Sequence, residues 1–352
     1  MTIAALSEAA WPDGALAVFA HHGGNLSAAR RLFPDATQPW IDLSTGVNPH
    51  PYPMSAIDPQ AWTRLPASAA LARLEAAAAE RYRTRAEVVA GPGSQALVQM
   101  LARLLPARRV GVFGATYPGH ARAWEAAGAD VSRVDRFEAL AACDVAVVVN
   151  PNNPDGRIVP AEALQELARK MAPRLLIVDE AFADFDAADE SLAPDLPACA
   201  IALRSFGKAF GLPGLRLGFA ILSPVLAAPL RAALGPWAVS GPAIEIGLKA
   251  LADSAWLEST RTRLAEEAAR LDSLLTSTGW RGIGGTKLFR LAASADASAR
   301  FLALLRRGVL ARPFAEALDR LRFGLPADET AWERLGGALA QERGPDFYRP
   351  SQ

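Results

Sequence analysis

Residues 199–222 read CAIALRSFGKAFGLPGLRLGFAIL. The apolar runs Cys199–Leu203 and Leu217–Leu222 flank a glycine-bearing segment, which reads as two buried strands with a loop between them. That loop carries Lys208 among Phe206, Gly207 and Phe210. Small and apolar neighbours strip water from an amine, lower its pKa and make it a better nucleophile toward a carbonyl. Ser205, three residues before, and Arg216, eight after, can both reach one dianionic phosphate. A lone lysine in a loop is ordinarily a solvated charge; with serine and arginine at these offsets, Lys208 reads as the lysine that forms an imine with pyridoxal phosphate.

Upstream, Val145–Val149 is an unbroken β-branched and alanine run, the mark of a strand buried on both faces. It ends in the carboxamide-dense turn Asn150-Pro151-Asn152-Asn153-Pro154-Asp155-Gly156. A helix over 160–171 follows, then a strand over 175–178 that ends in Asp179-Glu180-Ala181-Phe182. Val110–Phe113 reads as another strand and leads through Tyr117-Pro118-Gly119-His120 into a helix. Earlier still, Val88-Val89-Ala90-Gly91-Pro92-Gly93-Ser94-Gln95 opens the helix 96–105, and backbone N–H groups at such a start point at an anion. No Gly-Lys-Ser/Thr follows, so this is not a mononucleotide P-loop. Strand and helix alternate from 88 to 222, predicting a mostly parallel sheet covered by helices. In such sheets ligands sit at the carboxyl ends of strands. Tyr117, Asn153, Asp179 and Lys208 all fall just past such ends.

Outside this region the chain is less explicit. The first 20 residues are alanine-rich. His21-His22-Gly23-Gly24-Asn25 precedes a short helix stopped at Pro34; the histidine pair has no carboxylate or cysteine at ligand spacing, so no metal site is expected, and an arm offering donors to an anion is preferred. Asp42–Pro53, with Pro49, Pro51 and Pro53, is held extended, and is either a rigid connector or an active-site wall where Gly46 lets backbone approach a ligand. Residues 68–82 form a helix. After 240 the pattern changes to a long helical stretch over 243–276, then short strands (286–291, 321–325) between helices (297–306, 329–340). This is a smaller α+β domain joined by one long helix. Arg312 and Arg322 at strand positions there are either surface charges or grips for an anion.

The 352 residues carry 37 basic and 37 acidic side chains, 51% hydrophobic and 21% charged residues. Zero net charge argues against a polyanion-packaging role, so no nucleic-acid partner is expected. No apolar stretch approaches the roughly 20 residues that span a bilayer, and no basic region precedes the N-terminal alanines. Cys143 and Cys199 sit beside apolar runs as buried thiols. A cytoplasmic enzyme with no membrane partner is expected.

Together these motifs resemble the fold-type I pyridoxal-phosphate enzymes of the class I/II aminotransferase family. The resemblance implies an α/β fold: a large domain over 46–250 with a mostly parallel sheet of the seven-stranded type, and an N-terminal arm (1–45) with a small C-terminal α+β domain (251–352). It implies that Gly93, Ser94 and Gln95 form the phosphate cup with Ser205 and Arg216, and that Tyr117 stacks on the cofactor ring. Asn153 holds the phenolic oxygen, and Asp179 pairs with the protonated pyridine nitrogen, which keeps the ring an electron acceptor. Lys208 carries the cofactor and later donates a proton. Arg322 occupies the place of the arginine that holds the substrate α-carboxylate.

Within the family the chain is similar to the threonine-phosphate decarboxylases of cobalamin biosynthesis. The similarity rests on His22-Gly23-Gly24-Asn25, Asp42-Leu43-Ser44 with Asn48-Pro49, Leu212–Gly218, and Phe182 where aminotransferases usually carry tyrosine. It implies decarboxylation of a phosphorylated amino acid, L-threonine O-3-phosphate, by a homodimer, with His22, Asn25, Gly46 and Arg312 toward the substrate. A histidinol-phosphate or aromatic aminotransferase is the competing reading, and an idle fold retained for binding a remoter one. Two positions depart from the family pattern: Leu65-Pro66 stands where a Tyr-Pro often reaches the neighbouring subunit's cofactor phosphate, and Pro326 stands where some decarboxylases have a second arginine.

Overall fold

The structure is a computed structural model describing residues 14–20, 22–54 and 56–340. His21, half of the histidine pair, and the first 13 residues lie outside the described residues. The chain divides into two units: residues through Pro49 with those from Arg263 onward, and His50–Thr262.

The His50–Thr262 unit is built on a seven-stranded sheet. Its strands are β1 (Glu87–Gly91), β2 (Arg109–Phe113), β3 (Asp130–Val134), β4 (Val145–Val149), β5 (Leu175–Asp179), β6 (Ala200–Ser205) and β7 (Gly218–Leu222). They lie in the order β1-β7-β6-β5-β4-β2-β3. Strands β3, β2, β4, β5 and β6 run parallel; β7 is antiparallel to both β6 and β1. Alternation in β4 explains why it is apolar throughout. Val145 and Val147 pack with Leu97, Val98 and Leu101 of the helix Ser94–Leu104. Ala146 and Val148 pack on the other face with Leu164, Leu167 and Met171 of the helix Ala161–Met171. The inner strands of this layer are covered on both faces, so a period of two carries no polar phase there.

Three details differ from the sequence reading. β3 was not expected: Asp-Val-Ser-Arg-Val is an edge strand with polar residues on its open side. The 206–217 segment is not plain loop, since Phe206–Ala209 makes one helical turn and Pro213–Leu215 a 3-10 turn. The long helix over 243–276 is two helices, Gly241–Ala252 and Ser254–Ser277. The break is at Asp253, whose backbone leaves helical geometry while its carboxylate accepts the Trp256 N–H at 2.9 Å, capping the second helix.

The other unit holds a four-stranded antiparallel sheet of β8 (Arg281–Thr286), β9 (Phe289–Ala293), β10 (Arg312–Pro313) and β11 (Arg320–Gly324), ordered β10-β11-β9-β8. The run 286–291, read as one strand, is the end of β8 and most of β9, because the chain turns at Lys287-Leu288 with the Thr286 hydroxyl accepting the Leu288 N–H. Ile41–Asp42 pairs in parallel with Val309–Leu310. The helices Ala297–Arg306 and Glu329–Ala340 complete the unit.

Candidate active site

The carboxyl ends of β4, β5 and β6 meet the start of the helix Ser94–Leu104 around a cavity of about 180 Å³. Ten residues singled out as cofactor-binding line it. Gly93, Ser94, Gln95, Ser205 and Arg216 are the expected phosphate ligands among them. Tyr117, Asn153, Asp179, Phe182 and Lys208 are the other five, and Val149, Ala181, Gly207, Pro213 and Leu217 complete the lining.

At the phosphate end, the helix start leaves backbone N–H groups unused by the helix. Gly93 has φ +89°, and a Cβ there would lie 2.7 Å from the Arg216 guanidinium. The arginine therefore packs directly on the glycine backbone. Arg216 itself adopts φ 53°, ψ 54°, a left-handed conformation uncommon outside glycine, and donates through Nη1 to the Pro213 carbonyl at 3.0 Å. Ser205 is buried, precedes the helical turn, and does not spend its hydroxyl on capping it. One arginine, one free-standing hydroxyl and a helix N-terminus converge as an anion cup.

Asp179, 6% exposed, lines the same cavity. Its Oδ2 lies 2.7 Å from His120 Nε2, and its Oδ1 accepts the Ala181 N–H at 3.0 Å. An ionised carboxylate only accepts, so the imidazole presents its Nε2–H. His120 is 1% exposed and meets the Tyr117 ring edge-on at 6.2 Å. The sequence reading passed over this histidine; its offset of three from Tyr117 at a helix start was the available signal. Tyr117 donates to Gln95 Oε1 at 2.7 Å, and its ring lies so close over Gly119 that a Cβ there would sit 2.3 Å from Cε1.

The carboxamide turn sorts its three asparagines by partner. Asn150 exchanges two hydrogen bonds with the Val159 backbone. Asn152 accepts from the Thr116 hydroxyl at 2.6 Å and donates to the Ala115 carbonyl and to Asp155. Asn153 is the one lining the cavity. Lys208 is half-buried, its Nζ 5.4 Å from the Phe182 ring centre. Its helical turn is fixed by stacking: Phe206 on Phe210 (4.2 Å between centroids), and Phe210 on Trp256 (5.7 Å). Tyr52, from the proline-rich segment, donates its N–H to the Phe210 carbonyl and its hydroxyl to Asp253.

The expected substrate residues His22, Asn25, Gly46, Arg312 and Arg322 all belong to the other unit. Arg312 and Arg322 are cross-strand neighbours in β10 and β11, each about 93% buried. Arg322 donates to the Ser44 carbonyl at 2.8 Å, and Arg312 to the Phe19 and Ala20 carbonyls. Burial and the adjacent Arg312 pull the Arg322 guanidinium well below its ordinary range, to about 9, against the pull of Asp42. Two cations are thus buried side by side at a cost in desolvation and mutual repulsion. Ser44, not singled out in the sequence, joins the pieces: its hydroxyl accepts the Gly24 N–H at 2.7 Å and donates to Asp42 at 2.5 Å. Asn25 uses its side-chain oxygen to cap the helix Leu26–Leu32, while the His22 ring is exposed.

The family model for aminotransferase class I and II matches residues 38–333. A threonine-phosphate decarboxylase of Pseudomonas aeruginosa is 43% identical over 323 residues, 90% of this chain and 96% of that protein. One from Sinorhizobium sp is 41% identical, covering 91% and 97%. A histidinol-phosphate aminotransferase of Ralstonia nicotianae is 32% identical over 72% of this chain and 75% of its own. Among solved structures, histidinol-phosphate aminotransferase from Sinorhizobium meliloti in complex with pyridoxal-5'-phosphate superposes with TM-score 0.76 at 19% identity, covering 90% and 93%.

Proposed function

The chain belongs to the aminotransferase class I and II family, and from that premise we propose that it decarboxylates L-threonine O-3-phosphate to (R)-1-amino-2-propanol O-2-phosphate in cobalamin biosynthesis. The observation that carries this is identity of 41–43% to two threonine-phosphate decarboxylases across about nine-tenths of the chain. That span includes both units, whereas the aminotransferase relatives match at 32–38% over half to three-quarters. The aminotransferase reading is the weaker one.

The cofactor is pyridoxal 5'-phosphate, and the residues present fit it. The cup at Gly93 suits a phosphate, being tight enough that a Cβ would displace Arg216. A buried carboxylate, an asparagine and a lysine stand around the same cavity. When bound, the cofactor supplies a carbonyl for the substrate amine and a ring that accepts electrons. In our reading Ser205, Arg216 and the helix start hold its phosphate, and Asn153 donates to its phenolic oxygen. Asp179, oriented by His120 and Ala181, would hold a proton on the ring nitrogen of the bound cofactor. Phe182 offers no hydroxyl where aminotransferases usually carry tyrosine. Lys208 Nζ delivers the proton that replaces CO2 at Cα.

Reaction choice falls to the substrate anchors. A decarboxylase must hold the substrate carboxylate, rather than the Cα–H, in the Cα–N torsion that would commit it to reaction with the cofactor. Arg322 is proposed for the carboxylate, Arg312, His22 and Asn25 for the phosphate, and Gly46 as a point where backbone approaches the substrate. Anchoring the far phosphate spends remote binding energy on that torsion.

We further propose a homodimer in the cytoplasm. Met54, Trp62, Leu65 and Trp237 are 57–69% exposed, large apolar side chains of the His50–Thr262 unit that a partner would cover. Cys143 and Cys199 are free thiols, in keeping with a reducing compartment. No described helix is long and apolar enough to cross a membrane. The test is incubation of the yellow holoenzyme with L-threonine O-3-phosphate. CO2 release with the cofactor absorbance retained supports the proposal; conversion to the pyridoxamine form without CO2 would make this an aminotransferase.

A further inference from the structure

Tyr117 and Asn153 reach the same cavity from beyond the ends of two neighbouring strands, β2 and β4. The backbone ladder between those strands runs from the pair Val110–Val145 to the pair Val112–Val147 and goes no further. Past that point each strand follows a different neighbour. Phe113 pairs with Val134 of β3, and the Gly114 N–H donates to the Val134 carbonyl at 2.9 Å. Val149 pairs with Asp179 of β5, and the Asn150 N–H donates to the Asp179 carbonyl at 2.8 Å. The two segments have parted before either reaches its cavity residue, so the β2–β4 ladder does not set one against the other.

The Asn152 side chain crosses that gap, wholly buried. Its Nδ2 donates to the Ala115 carbonyl at 2.9 Å and to Asp155 Oδ1 at 2.8 Å, and its Oδ1 accepts the Thr116 hydroxyl at 2.6 Å. A carbonyl and a carboxylate only accept, so those two partners fix the nitrogen and leave the oxygen for Thr116. Two of the three bonds end on the residues directly before Tyr117, while Asn152 itself directly precedes Asn153. Arg157 adds a second tie between the same segments. Its guanidinium covers the Phe113 ring at 4.2 Å, and a Cβ on Gly114 would lie 3.0 Å from it. Asp155 closes the turn, its Oδ1 also accepting the Arg157 N–H at 3.0 Å.

Asn150 supplies a like-for-like contrast two positions earlier. It is equally buried and exchanges two hydrogen bonds with the Val159 backbone. Those bonds brace the turn internally and do not reach residues 113–117.

We propose that Asn152, with Thr116, is a positioning residue that sets the Asn153 carboxamide against the Tyr117 ring. The inference rests on the reading of this cavity as the cofactor site, with Asn153 donating to the phenolic oxygen. It goes beyond that reading in making the ionisation of the bound cofactor depend on a residue that does not line the cavity. A donor to the phenolic oxygen favours its anionic form. When Asn153 is displaced, the protonated form gains and the pH midpoint of the cofactor absorbance rises.

The test is a spectrophotometric pH titration of holoenzymes without substrate, with melting temperatures recorded alongside. The variants are Asn153→Ala, Asn152→Ala, Asn150→Ala, Thr116→Val and Thr116→Ser. Asn153→Ala sets the full effect, expected as a rise of about one pH unit in the midpoint. Asn152→Ala should show about half of that rise or more, and Thr116→Val a smaller rise in the same direction. Thr116→Ser keeps the hydroxyl and should match the parent. Asn150→Ala loses an equally buried carboxamide, so it should melt lower, as Asn152→Ala does, with its midpoint in place. Should Asn152→Ala fail to fold, Thr116→Val against Thr116→Ser decides. A rise in Asn153→Ala with none in Asn152→Ala or Thr116→Val, or an equal rise in Asn150→Ala, overturns the positioning role and leaves the cofactor reading standing. No rise in Asn153→Ala overturns the role given to Asn153, and this inference with it.

Discussion

His120 is a residue whose loss tests how the cofactor site is built. It reaches Asp179 and nothing in the cavity lining requires it directly, since the lining includes Asp179 but not His120. In His120→Leu the 2.7 Å bond disappears, and the carboxylate keeps only the Ala181 N–H. A hydrogen bond to a charged group contributes about 1.5–3 kcal/mol. Because Asp179 is 6% exposed, water replaces little of it. If that energy is expressed where negative charge develops on the substrate, kcat falls roughly ten- to hundredfold. Substrate KM should move less than about threefold, as the proposed carboxylate and phosphate grips are on other residues. The assay is CO2 release from L-threonine O-3-phosphate, with bound cofactor counted by absorbance so that loss of cofactor is not mistaken for loss of rate. A cycle with Asp179→Asn separates positioning from direct action. If His120 works through Asp179, adding His120→Leu to Asp179→Asn costs less than about twofold more. Cofactor-loaded His120→Leu with kcat within threefold of the parent, or full additivity in the cycle, would refute the reasoning.

Four further outcomes are expected. Gly93→Ala forces a Cβ to 2.7 Å from the Arg216 guanidinium at φ +89°, so cofactor retention after dialysis should weaken by roughly tenfold or more; unchanged retention would place the phosphate elsewhere. Phe182→Tyr adds a donor toward the cofactor's phenolic oxygen, favours its anionic form and lowers the pH midpoint of the cofactor absorbance by about one unit; a midpoint that stays put would show that Phe182 does not face that oxygen. Arg322→Gln, which removes one of two adjacent buried cations, should raise substrate KM roughly ten- to hundredfold while the cofactor spectrum is unaffected; a normal KM would return Arg322 to a structural role. Replacing both Trp62 and Leu65 by aspartate puts two charges among exposed apolar side chains, and sedimentation should then show monomer; an unaltered oligomer would place the interface on another surface.

The sequence carried the large sheet well because its strands are covered on both faces. Runs such as Val145–Val149 have no polar phase, and each ends abruptly in the polar residues that reach the cavity. The edge strand Asp130–Val134 escaped notice for the complementary reason: half its surface is open, so its composition matches a loop. The division of 243–276 at Asp253 was equally hidden, since a single carboxylate accepting one N–H ends one helix and starts another without any glycine or proline.

What lay beyond reach in the sequence was contact between distant segments, and three such contacts show it. Asp179 and His120 are 59 positions apart, and nothing in either neighbourhood says that they share a proton. Ser44 looks like any serine until its hydroxyl is found on the Gly24 N–H and its carbonyl on the Arg322 guanidinium. One residue thereby joins the His-Gly-Gly-Asn motif, the Asp-Leu-Ser motif and the arginine of β11, three stretches that the sequence could only set side by side. Arg204 and Glu180 are the third case. Read along the chain they are charged neighbours of Ser205 and Asp179 and would pass for parts of the cofactor site. The period of the strand sends them to the opposite face, where burial turns them into a pair that must satisfy each other. The same two dipeptides, Asp179-Glu180 and Arg204-Ser205, therefore supply both faces of one sheet: one residue of each to the cofactor cavity, the other to the buried ion pair behind it.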